Sequence, residues 1–345
     1  MTGSREVVEQ AFHLKKPERI PAGICLGGSW PIFKEGRTLY DLLTDAEETA
    51  DIFYRVNDRL DADFVTVGTG ATAFVLEALG AEIRFSESGA PEIISLIVRN
   101  EEDIDKLNIT EALQAPRIQW LKEVAKGVVS RNKGKRSIFI SGRAPFTLAG
   151  QIFGLENLSR ALYKNKALVE KLLDFTTELS VAYYEEMLKI DGIDGVFIAD
   201  PSASGDVVSR KHFETYVIPY LTRVIRRLSS YQKLSILHIC GNITDRLHLI
   251  PPTGIQMISL DSKVDLSKAK EILGGKIGLA GNVNPVSVLE DQEPEGVQRV
   301  TVECLEKGAF DGGFLLLPGC DISAKVPEDN VRAMIESTHH WFCNH

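Results

Sequence analysis

Short apolar runs that end in Gly, Asp or Pro alternate with longer amphipathic stretches along the whole 345-residue chain. A continuous apolar run is typical of a strand buried on both faces, whereas a strand with one wet face alternates apolar and polar residues. We therefore predict eight buried strands, at residues 20–26, 63–68, 137–142, 194–200, 234–240, 256–261, 276–281 and 312–319.

The amphipathic stretches between these runs predict helices at 44–60, 156–190, 208–230, 265–274, 294–308 and 327–341. Ser209 precedes one of them, and Pro327 opens the last one with two acidic residues behind it, as at helix starts. Eight strands that alternate with helices predict a parallel sheet, and their number favours a closed (β/α)8 TIM barrel over a doubly wound sheet.

Two further segments stand outside this alternation. A short helix is expected at the N-terminus, and residues 81–115 suggest an antiparallel β-hairpin, because AEIRF and EIISLIV are separated by the turn-like SESGAP. No repeat or linker divides the chain, so we expect one domain over residues 1–345.

Composition excludes several classes of protein. The net charge of −9 argues against nucleic-acid binding, which requires a basic surface. No run approaches the ~18 apolar residues of a membrane span, and no signal-peptide core opens the chain, so a cytoplasmic location is expected. The five scattered cysteines are then free thiols or metal ligands rather than a disulfide framework.

Reactive groups in an α/β barrel come from the residues at and just beyond the C-terminal ends of its strands. Reading only those positions selects residue types that bind metals or move protons, namely Asp200, His238, Cys240, Asp261, Asn282 and Cys320.

His238 and Cys240 are two residues apart on a predicted strand, so their side chains point to the same side. Cys320 follows the last predicted strand and reaches the same barrel mouth. One imidazole and two thiolates suit Zn²⁺, with a fourth position left open as in catalytic sites. The alternative is structural, because a buried cysteine is usually a small apolar residue and a lone histidine usually a satisfied core residue.

The other strand-end residues have two interpretations each. Asp200 is a candidate catalytic residue, and Ser202 and Ser204 in the turn after it are candidates for ligand binding, although Asp and Ser also favour helix caps and turns. Asp261 suits a hydrogen-bond partner for a metal-bound histidine or a closing turn. Asn282 suits the lining of a ligand site or a plain loop.

The remaining cysteines lack comparable neighbours. Cys304 falls inside a helical stretch and Cys343 in the C-terminal tail, while Cys25 stands near the end of the first predicted strand. His339 and His340 are adjacent on a helix and point in different directions, so we interpret them as surface or packing residues.

The same strand-end segments resemble the uroporphyrinogen decarboxylase superfamily, and within it the corrinoid-dependent methyltransferase branch typified by methylcobamide:coenzyme M methyltransferases. The resemblance extends over nearly the whole chain, through PERIPAG, LGAEI, DPSASGD, LHICGN, SLDSKVDL, GLAGNVNP, PGCDIS and PEDNVRAMIE. The zinc motif of that branch, HxC with a distant Cys, falls on His238, Cys240 and Cys320.

The resemblance implies methyl transfer between a small substrate and a corrinoid (a cobalamin) on a separate carrier protein, since this chain has no room for a cobalamin domain. The methyl group would pass either from methylcobamide to a thiol such as coenzyme M, or from a donor such as an aryl methyl ether to Co(I). Asp200 or Asp261 would orient His238 or bind the metal provisionally. Trp30, with Phe33 and Tyr40 in the first loop, is compatible with an aromatic donor.

Two alternatives belong to other functional classes. The decarboxylases of the superfamily use an arginine-rich loop after the first strand and an Asp after the second, but here Arg37 is the first loop's only arginine and TVGTGAT lacks a carboxylate. A non-catalytic zinc- or corrinoid-binding protein would instead have a closed, four-ligand metal site.

Overall fold

The protein is described from a computed structural model that covers residues 2–24, 28–87 and 89–341. Cys25 and Cys343 lie outside these residues, as does the side chain of His340. Within the described residues the strands are β1 (Phe64–Val67), β2 (Ile83–Arg84), β3 (Glu92–Ile93), β4 (Ser137–Arg143), β5 (Gly195–Ala199), β6 (Leu234–Ile239), β7 (Met257–Leu260), β8 (Gly278–Ala280) and β9 (Phe314–Leu315).

Seven strands form one parallel sheet in the order β1-β4-β5-β6-β7-β8-β9. All residues of β1, β5, β7 and β8 are buried, as expected for strands covered on both faces. The predicted runs therefore formed strands because each offers apolar side chains to the barrel interior and to the surrounding helices.

The predicted first strand closes this sheet into a barrel with little regular structure of its own. Ala22 forms a parallel bridge with Leu316, and the amide of Leu316 donates to the carbonyl of Pro21 over 2.8 Å. On the other side, the amide of Asp63 donates to the carbonyl of Ala22 over 2.9 Å. Of this predicted run the structure describes residues 20–24, where Ala22 is the bridged residue and Pro21 has no amide hydrogen to donate to a ladder. The predicted TIM-barrel fold is confirmed.

The helices are α1 (Ser4–Phe12), α2 (Trp30–Lys34), α3 (Leu39–Leu42), α4 (Ala46–Arg59), α5 (Ala71–Ala78), α6 (Glu101–Asp105), α7 (Ile109–Leu113), α8 (Pro116–Asn132), α9 (Pro145–Phe153), α10 (Leu155–Lys164), α11 (Lys166–Leu188), α12 (Arg210–His212), α13 (Ile218–Ser229), α14 (Leu266–Leu273), α15 (Pro294–Gly308) and α16 (Glu328–Trp341). None of the helices in the described part of the chain is both long and apolar enough to pass through a membrane.

The predicted helices are present, but one predicted stretch is divided into two helices. The stretch 156–190 is divided at Asn165, whose side chain accepts the amide hydrogen of Leu168 and so starts a new helix. Ser209 caps α12 as predicted, because its hydroxyl accepts the amide hydrogen of His212. The predicted excursion is also present, since β2 and β3 pair antiparallel with Ile83 opposite Ile93.

Helix α1 fills the end of the barrel where the strands begin. Its apolar side belongs to one buried cluster with the inward-facing residues of the strands, and Phe12 stacks on Phe139 of β4 at 5.7 Å between ring centroids. Arg5, from the outer side of α1, pairs with Asp194 just before β5. Because this end is closed by side chains, the opposite, C-terminal end of the barrel is where a ligand site can open.

Candidate metal centre

Strand β6 brings the first two candidate ligands to the mouth of the barrel. His238 is fully buried near the C-terminal end of β6, and Cys240 follows the last residue of the strand. The chain turns immediately afterwards at Gly241, where φ is +73° and a Cβ atom would lie 2.3 Å from the hydroxyl oxygen of Ser204. Glycine is therefore required there for the turn that leaves the Cys240 thiol at the mouth.

Cys320, which follows β9 in sequence, completes a cluster of three potential ligands. His238 Nε2 lies 3.1 Å from the Sγ atom of Cys240, which in turn lies 3.5 Å from the Sγ atom of Cys320. The three ligand atoms all lie within 4.8 Å of one another. The structure therefore brings Cys320 to the pair of His238 and Cys240, although Cys320 lies 80 residues after Cys240 in the sequence.

These distances fit a tetrahedral zinc ion. With Zn–S bonds of ~2.3 Å and Zn–N bonds of ~2.0 Å, sulfur atoms are ~3.8 Å apart and nitrogen lies ~3.5 Å from sulfur. The observed separations of 3.5 Å between the sulfur atoms and 3.1 Å from nitrogen to sulfur are a few tenths of an ångström shorter. Small side-chain rotations would therefore admit the ion, and one imidazole with two thiols is a donor set that zinc prefers.

Electrostatics favours the metal-binding form of Cys320. Hydrogen bonding to Cys240 and the adjacent His238 lower the pKa of the Cys320 thiol to about 4. A deprotonated thiol is the form in which cysteine binds metals, so the lowered pKa favours metal binding at this cluster. Within the described residues Cys240 and Cys320 form no disulfide, and both are only half-buried, so the centre is open to the mouth of the barrel.

The hydroxyl of Ser259 orients the imidazole. His238 Nδ1 lies 3.1 Å from Ser259 Oγ, so that Nε2 is directed at the cysteines. A histidine that binds a metal through one ring nitrogen commonly donates the other N–H to such a partner, which fixes the ring and its tautomer. Among the described residues neither Asp200 nor Asp261 is hydrogen-bonded to the ring in this way, and the prediction that one of them orients His238 or binds the metal provisionally stays a prediction.

Asp261 instead anchors the loop that carries Cys240. Its Oδ2 atom accepts the amide hydrogen of Gly241 over 2.8 Å, and its Oδ1 atom accepts that of Lys263 over 2.9 Å. Asn282 supports the segment after β7 that contains Asp261, because its amide group donates to the carbonyls of Asp261 and Val264 over 3.0 and 2.7 Å. The catalytic role of Asp261 and the ligand-binding role of Asn282 stay predictions.

Asp200 is fully buried beside the metal centre. Its amide donates to the carbonyl of His238, and its Oδ1 atom accepts two hydrogen bonds from Thr147 at the start of α9. Within the described part of the chain its Oδ2 atom has no hydrogen-bond partner. Burial raises the pKa of Asp200 to about 6, against the lowering effect of Thr147 and of the nearby Arg143. One oxygen thus caps a helix and the other is available to a ligand.

The two serines of the following turn lie close to the same site. The amide of Ser202 donates to the hydroxyl of Thr147, and the Ser204 hydroxyl accepts the amide hydrogen of Asp206. Ser204 also lies against Gly241, as described above. These contacts shape the loop beside the thiols, and a direct role of either serine with a ligand stays a prediction.

Trp30 lies elsewhere. It is fully buried, its indole N–H donates to the carbonyl of Val326, and the Lys34 ammonium lies 5.5 Å from its ring centroid. A cleft described below opens beside the metal centre. Among the described residues that line it, Phe33 and Tyr40, the other two aromatic residues of the first loop, are absent. The substrate-binding role of Trp30 stays a prediction.

Cys304 and His339, which the sequence did not assign to a site, both lie within helices. Cys304 is buried in α15, where burial raises the pKa of its thiol. His339 is half-buried on α16, with its Nε2 atom 4.0 Å from a carboxylate oxygen of Asp61.

A cleft of about 90 Å³ opens beside the metal centre and contains two residues that the sequence reading missed. Arg143 is the last residue of β4, and Asp321 follows Cys320 directly. Desolvation in the cleft and the neighbouring Cys320 raise the pKa of Asp321, whereas Arg143 acts in the opposite direction. Both stand at strand ends, so the positional rule that selected His238 would have found them if it had been applied to every strand.

With the geometry established, comparison with known proteins assigns the chain to a family. The sequence pattern of the uroporphyrinogen decarboxylase (URO-D) family matches residues 4–341. The chain belongs to the uroporphyrinogen decarboxylase family. The resemblance carried by the strand-end motifs is therefore confirmed.

Two curated members show where in the URO-D family the similarity is higher. A methylcobamide:CoM methyltransferase of Methanosarcina acetivorans is 30% identical over 98% of both chains. A uroporphyrinogen decarboxylase of Geobacter sulfurreducens is 24% identical over 88% of this chain and 87% of its own. The prediction of a methyltransferase of the URO-D family is confirmed by the full-length similarity to the first of these.

A solved structure confirms the URO-D fold independently. A methyltransferase from Methanosarcina mazei superposes with a TM-score of 0.89 at 24% identity, covering 99% of this chain and all of that one. At this level of identity the likeness concerns the fold, which is the curled parallel sheet with surrounding helices described above.

Proposed function

We propose that the protein transfers a methyl group between a corrinoid, carried on a separate protein, and a small thiol bound at a zinc ion. The observation that carries this proposal is the open cluster of His238, Cys240 and Cys320 at the mouth of a URO-D-family barrel. The similarity to methylcobamide:CoM methyltransferases supports a thiol as the acceptor.

His238, Cys240 and Cys320 would hold the metal through one nitrogen and two sulfur atoms. Bound there, zinc would supply an open coordination position that lowers the pKa of a substrate thiol near neutral pH. The protein's own residues keep this position accessible, since Ser259 fixes the imidazole and Asp261 fixes the loop after Cys240.

Asp200 has the position and the free atom for handling the proton of the thiol. Its Oδ2 atom is buried and unpartnered within the described residues, and its pKa of about 6 lies close to neutral pH. A carboxylate with a pKa near the working pH can accept a proton and release it again. We therefore include Asp200 in the proposed machinery as the acceptor of the substrate proton.

Transfer in the opposite direction, from an aryl methyl ether to Co(I), has less support from the geometry. That proposal was based on the aromatic residues of the first loop, but Trp30 is fully buried and Tyr40 packs against Phe85 at 5.2 Å between ring centroids. We therefore propose the thiol as the physiological substrate and treat donor demethylation as an outcome of the test.

Two other functions fit the site less well. Porphyrinogen decarboxylation would require free cations for several carboxylates, but Arg37 of the first loop is paired with Glu48. A closed structural zinc site would require a fourth protein ligand, and within the described residues the clustered set comprises three.

A methyl-transfer assay tests the proposal. Methylcobalamin and 2-mercaptoethanesulfonate would be mixed with the protein, and the conversion of methyl-Co(III) to Co(I) followed by absorption. Cys320→Ala is expected to lose zinc and to slow transfer at least a hundredfold, whereas Cys304→Ala, at a buried cysteine outside the cluster, retains both. Transfer by the metal-free protein would refute the mechanism, and turnover only of methyl ethers or methylamines with Co(I) would reverse the direction.

A further inference from the structure

The Sγ atoms of Cys240 and Cys320 lie 3.5 Å apart, which is close enough for a second kind of chemistry besides metal binding. Around a tetrahedral zinc ion the two sulfur atoms would be ~3.8 Å apart, whereas in a disulfide they would be ~2.05 Å apart. The observed separation lies between these two values. The pair is therefore a candidate for disulfide formation as well as for holding a metal.

The backbone holds both cysteines against one common segment, the loop after β7. Asp261 in that loop accepts the amide hydrogen of the residue that follows Cys240. Gly319, the residue before Cys320, packs on the same loop so closely that a Cβ atom there would lie 2.6 Å from the amide nitrogen of Ser262. The two thiols are therefore kept in contact by the packing of their segments and not only by their side-chain conformations.

A small oxidant can reach this pair from the barrel mouth. Both cysteines are only half-buried, and the cleft of about 90 Å³ is lined by Asp321, the residue directly after Cys320. One water molecule requires ~15 Å³ of such space, so hydrogen peroxide, which is little larger than water, has room to enter. Cysteines that are readily oxidised are accessible to solvent and often lie next to a second, resolving cysteine. Both conditions are met at this pair.

Cys304, the third cysteine within the described residues, lacks these features. It is buried in α15, and its Sγ atom lies 3.8 Å from the Oδ1 atom of Asn282. In the part of the chain that the structure describes, the sulfur atoms in contact are those of Cys240 and Cys320. Oxidation is therefore expected at this pair and not at Cys304.

We propose that Cys240 and Cys320 form an oxidation site, at which a hydroperoxide closes a reversible disulfide, expels the metal ion and so interrupts methyl transfer. The inference rests on the proposed function, to which it adds regulation by oxidants. The disulfide withdraws both sulfur ligands at once and leaves His238 as the remaining member of the cluster. A single histidine does not retain zinc at a site that depends on three protein ligands.

The oxidation balances with one molecule of hydrogen peroxide. The thiolate of one cysteine attacks the peroxide, so that an S–O bond forms, the O–O bond breaks and hydroxide leaves. The second thiolate attacks the sulfur of the resulting sulfenic acid, so that the S–S bond forms and a second hydroxide leaves. The two sulfur atoms together lose the two electrons that the peroxide gains. A dithiol such as dithiothreitol returns these electrons and restores both thiols.

Treatment of the zinc-loaded protein with a small excess of hydrogen peroxide tests the oxidation site. A chromophoric chelator measures the released metal, and peptide mapping by mass spectrometry identifies the linked cysteines. We expect about one zinc ion per chain to be released as the disulfide between Cys240 and Cys320 forms. Dithiothreitol with added zinc should restore both thiols and the metal content. Retention of zinc, or its loss with sulfinic acids or with another cysteine pair, would overturn the proposal.

Substitutions show whether the second sulfur is responsible. Cys304→Ala is the matched control and should release zinc as the unmodified protein does. In the metal-free Cys320→Ala variant, Cys240 has no partner sulfur and should pass to the sulfinic acid, which dithiothreitol does not reduce. In the metal-free unmodified protein the Cys240 thiol should be recovered. Equal recovery in both proteins would overturn the oxidation site. If circular dichroism shows that Cys320→Ala does not fold, Cys240→Ala gives the same comparison for Cys320.

The proposed function and the oxidation site fail in distinguishable ways. If the reduced, zinc-loaded protein methylates no thiol, but hydrogen peroxide links Cys240 to Cys320 and releases the metal, the oxidation site stands and the proposed reaction is wrong. If methyl transfer proceeds and persists after peroxide treatment with zinc retained, the methyltransferase function stands and the oxidation site is wrong.

Discussion

His238 and Ser259 are hydrogen-bonded across two neighbouring strands, with 3.1 Å between the imidazole Nδ1 atom and the hydroxyl oxygen. The parallel register of β6 and β7 places these two residues side by side. The direction in which the imidazole presents its other nitrogen therefore depends on strand pairing as well as on the histidine itself.

Replacing Ser259 by Ala should weaken zinc binding about tenfold to a hundredfold, because partners of a metal-binding histidine contribute on this scale. The measurement is a competition titration with a chromophoric chelator. Ser235→Ala is the control, since Ser235 lies near the start of β6, the strand that carries His238, and its hydroxyl contacts Gln256 instead. Equal zinc affinities for both variants would contradict the role of Ser259.

Replacing Asp261 by Ala should lower zinc affinity about tenfold, because the amides of Gly241 and Lys263 lose their acceptor and the loop after Cys240 loosens. Asp261→Asn keeps one acceptor oxygen, so its zinc affinity should lie between that of the unmodified protein and that of the Ala variant. If the Ala variant bound zinc as tightly as the unmodified protein, Asp261 would not position the ligand loop.

Asp200 should make the stability of the metal-free protein depend on pH. Its pKa is about 6 in the folded state and ~3.9 when unfolded, so the folded state binds the proton more tightly. This contribution is fully present below pH ~4 and is lost as the pH rises through 6. Asp200→Asn removes the titration, so the free energy of unfolding of this variant relative to the unmodified protein should increase by ~2 kcal/mol between pH 4.5 and 7.5.

Urea denaturation at several pH values, with chelator present to keep the metal out, measures that difference. A difference between the two proteins that stays constant over this range would show that the Asp200 carboxyl titrates alike in the folded and unfolded states.

Asp63 should be essential for closing the barrel. Its buried carboxylate accepts the amide hydrogen of Ala22 over 2.9 Å and pairs with Arg19. Asp63→Ala leaves both groups unpaired and should destabilise the fold by ~3–5 kcal/mol. Glu156→Ala, at an exposed helical pair with Arg160, should cost less than ~0.5 kcal/mol. Thermal unfolding of both variants makes the comparison, and similar losses would contradict the role of Asp63.

The barrel and the ligand cluster were predictable because both follow from patterns within single segments. A buried strand is recognisable in the sequence as an apolar run. The two-residue spacing of His238 and Cys240 places both side chains on the same side of their strand. Cys320 required the further rule that reactive groups gather at strand ends.

The partners of these residues were not predictable in the same way. Ser259 becomes the partner of His238 through the register between two strands, which no single run contains. Asp200 is predicted as a catalytic residue, with a cap or turn in its own segment as the alternative, but its side chain caps α9, which begins 55 residues earlier at Pro145. An apolar run also does not reveal which of its residues form ladder bonds, and in the first predicted strand Pro21 has no amide hydrogen to donate to one.

The helix at the start of the chain also limits the order of events in the proposed reaction. Because α1 occupies the end of the barrel opposite the thiols, a small substrate and a large corrinoid protein must approach the metal from the same side. The larger partner would then cover the opening through which the smaller one passes. We expect a compulsory sequence in which the thiol binds first and its methylated product leaves last, after the carrier protein has separated.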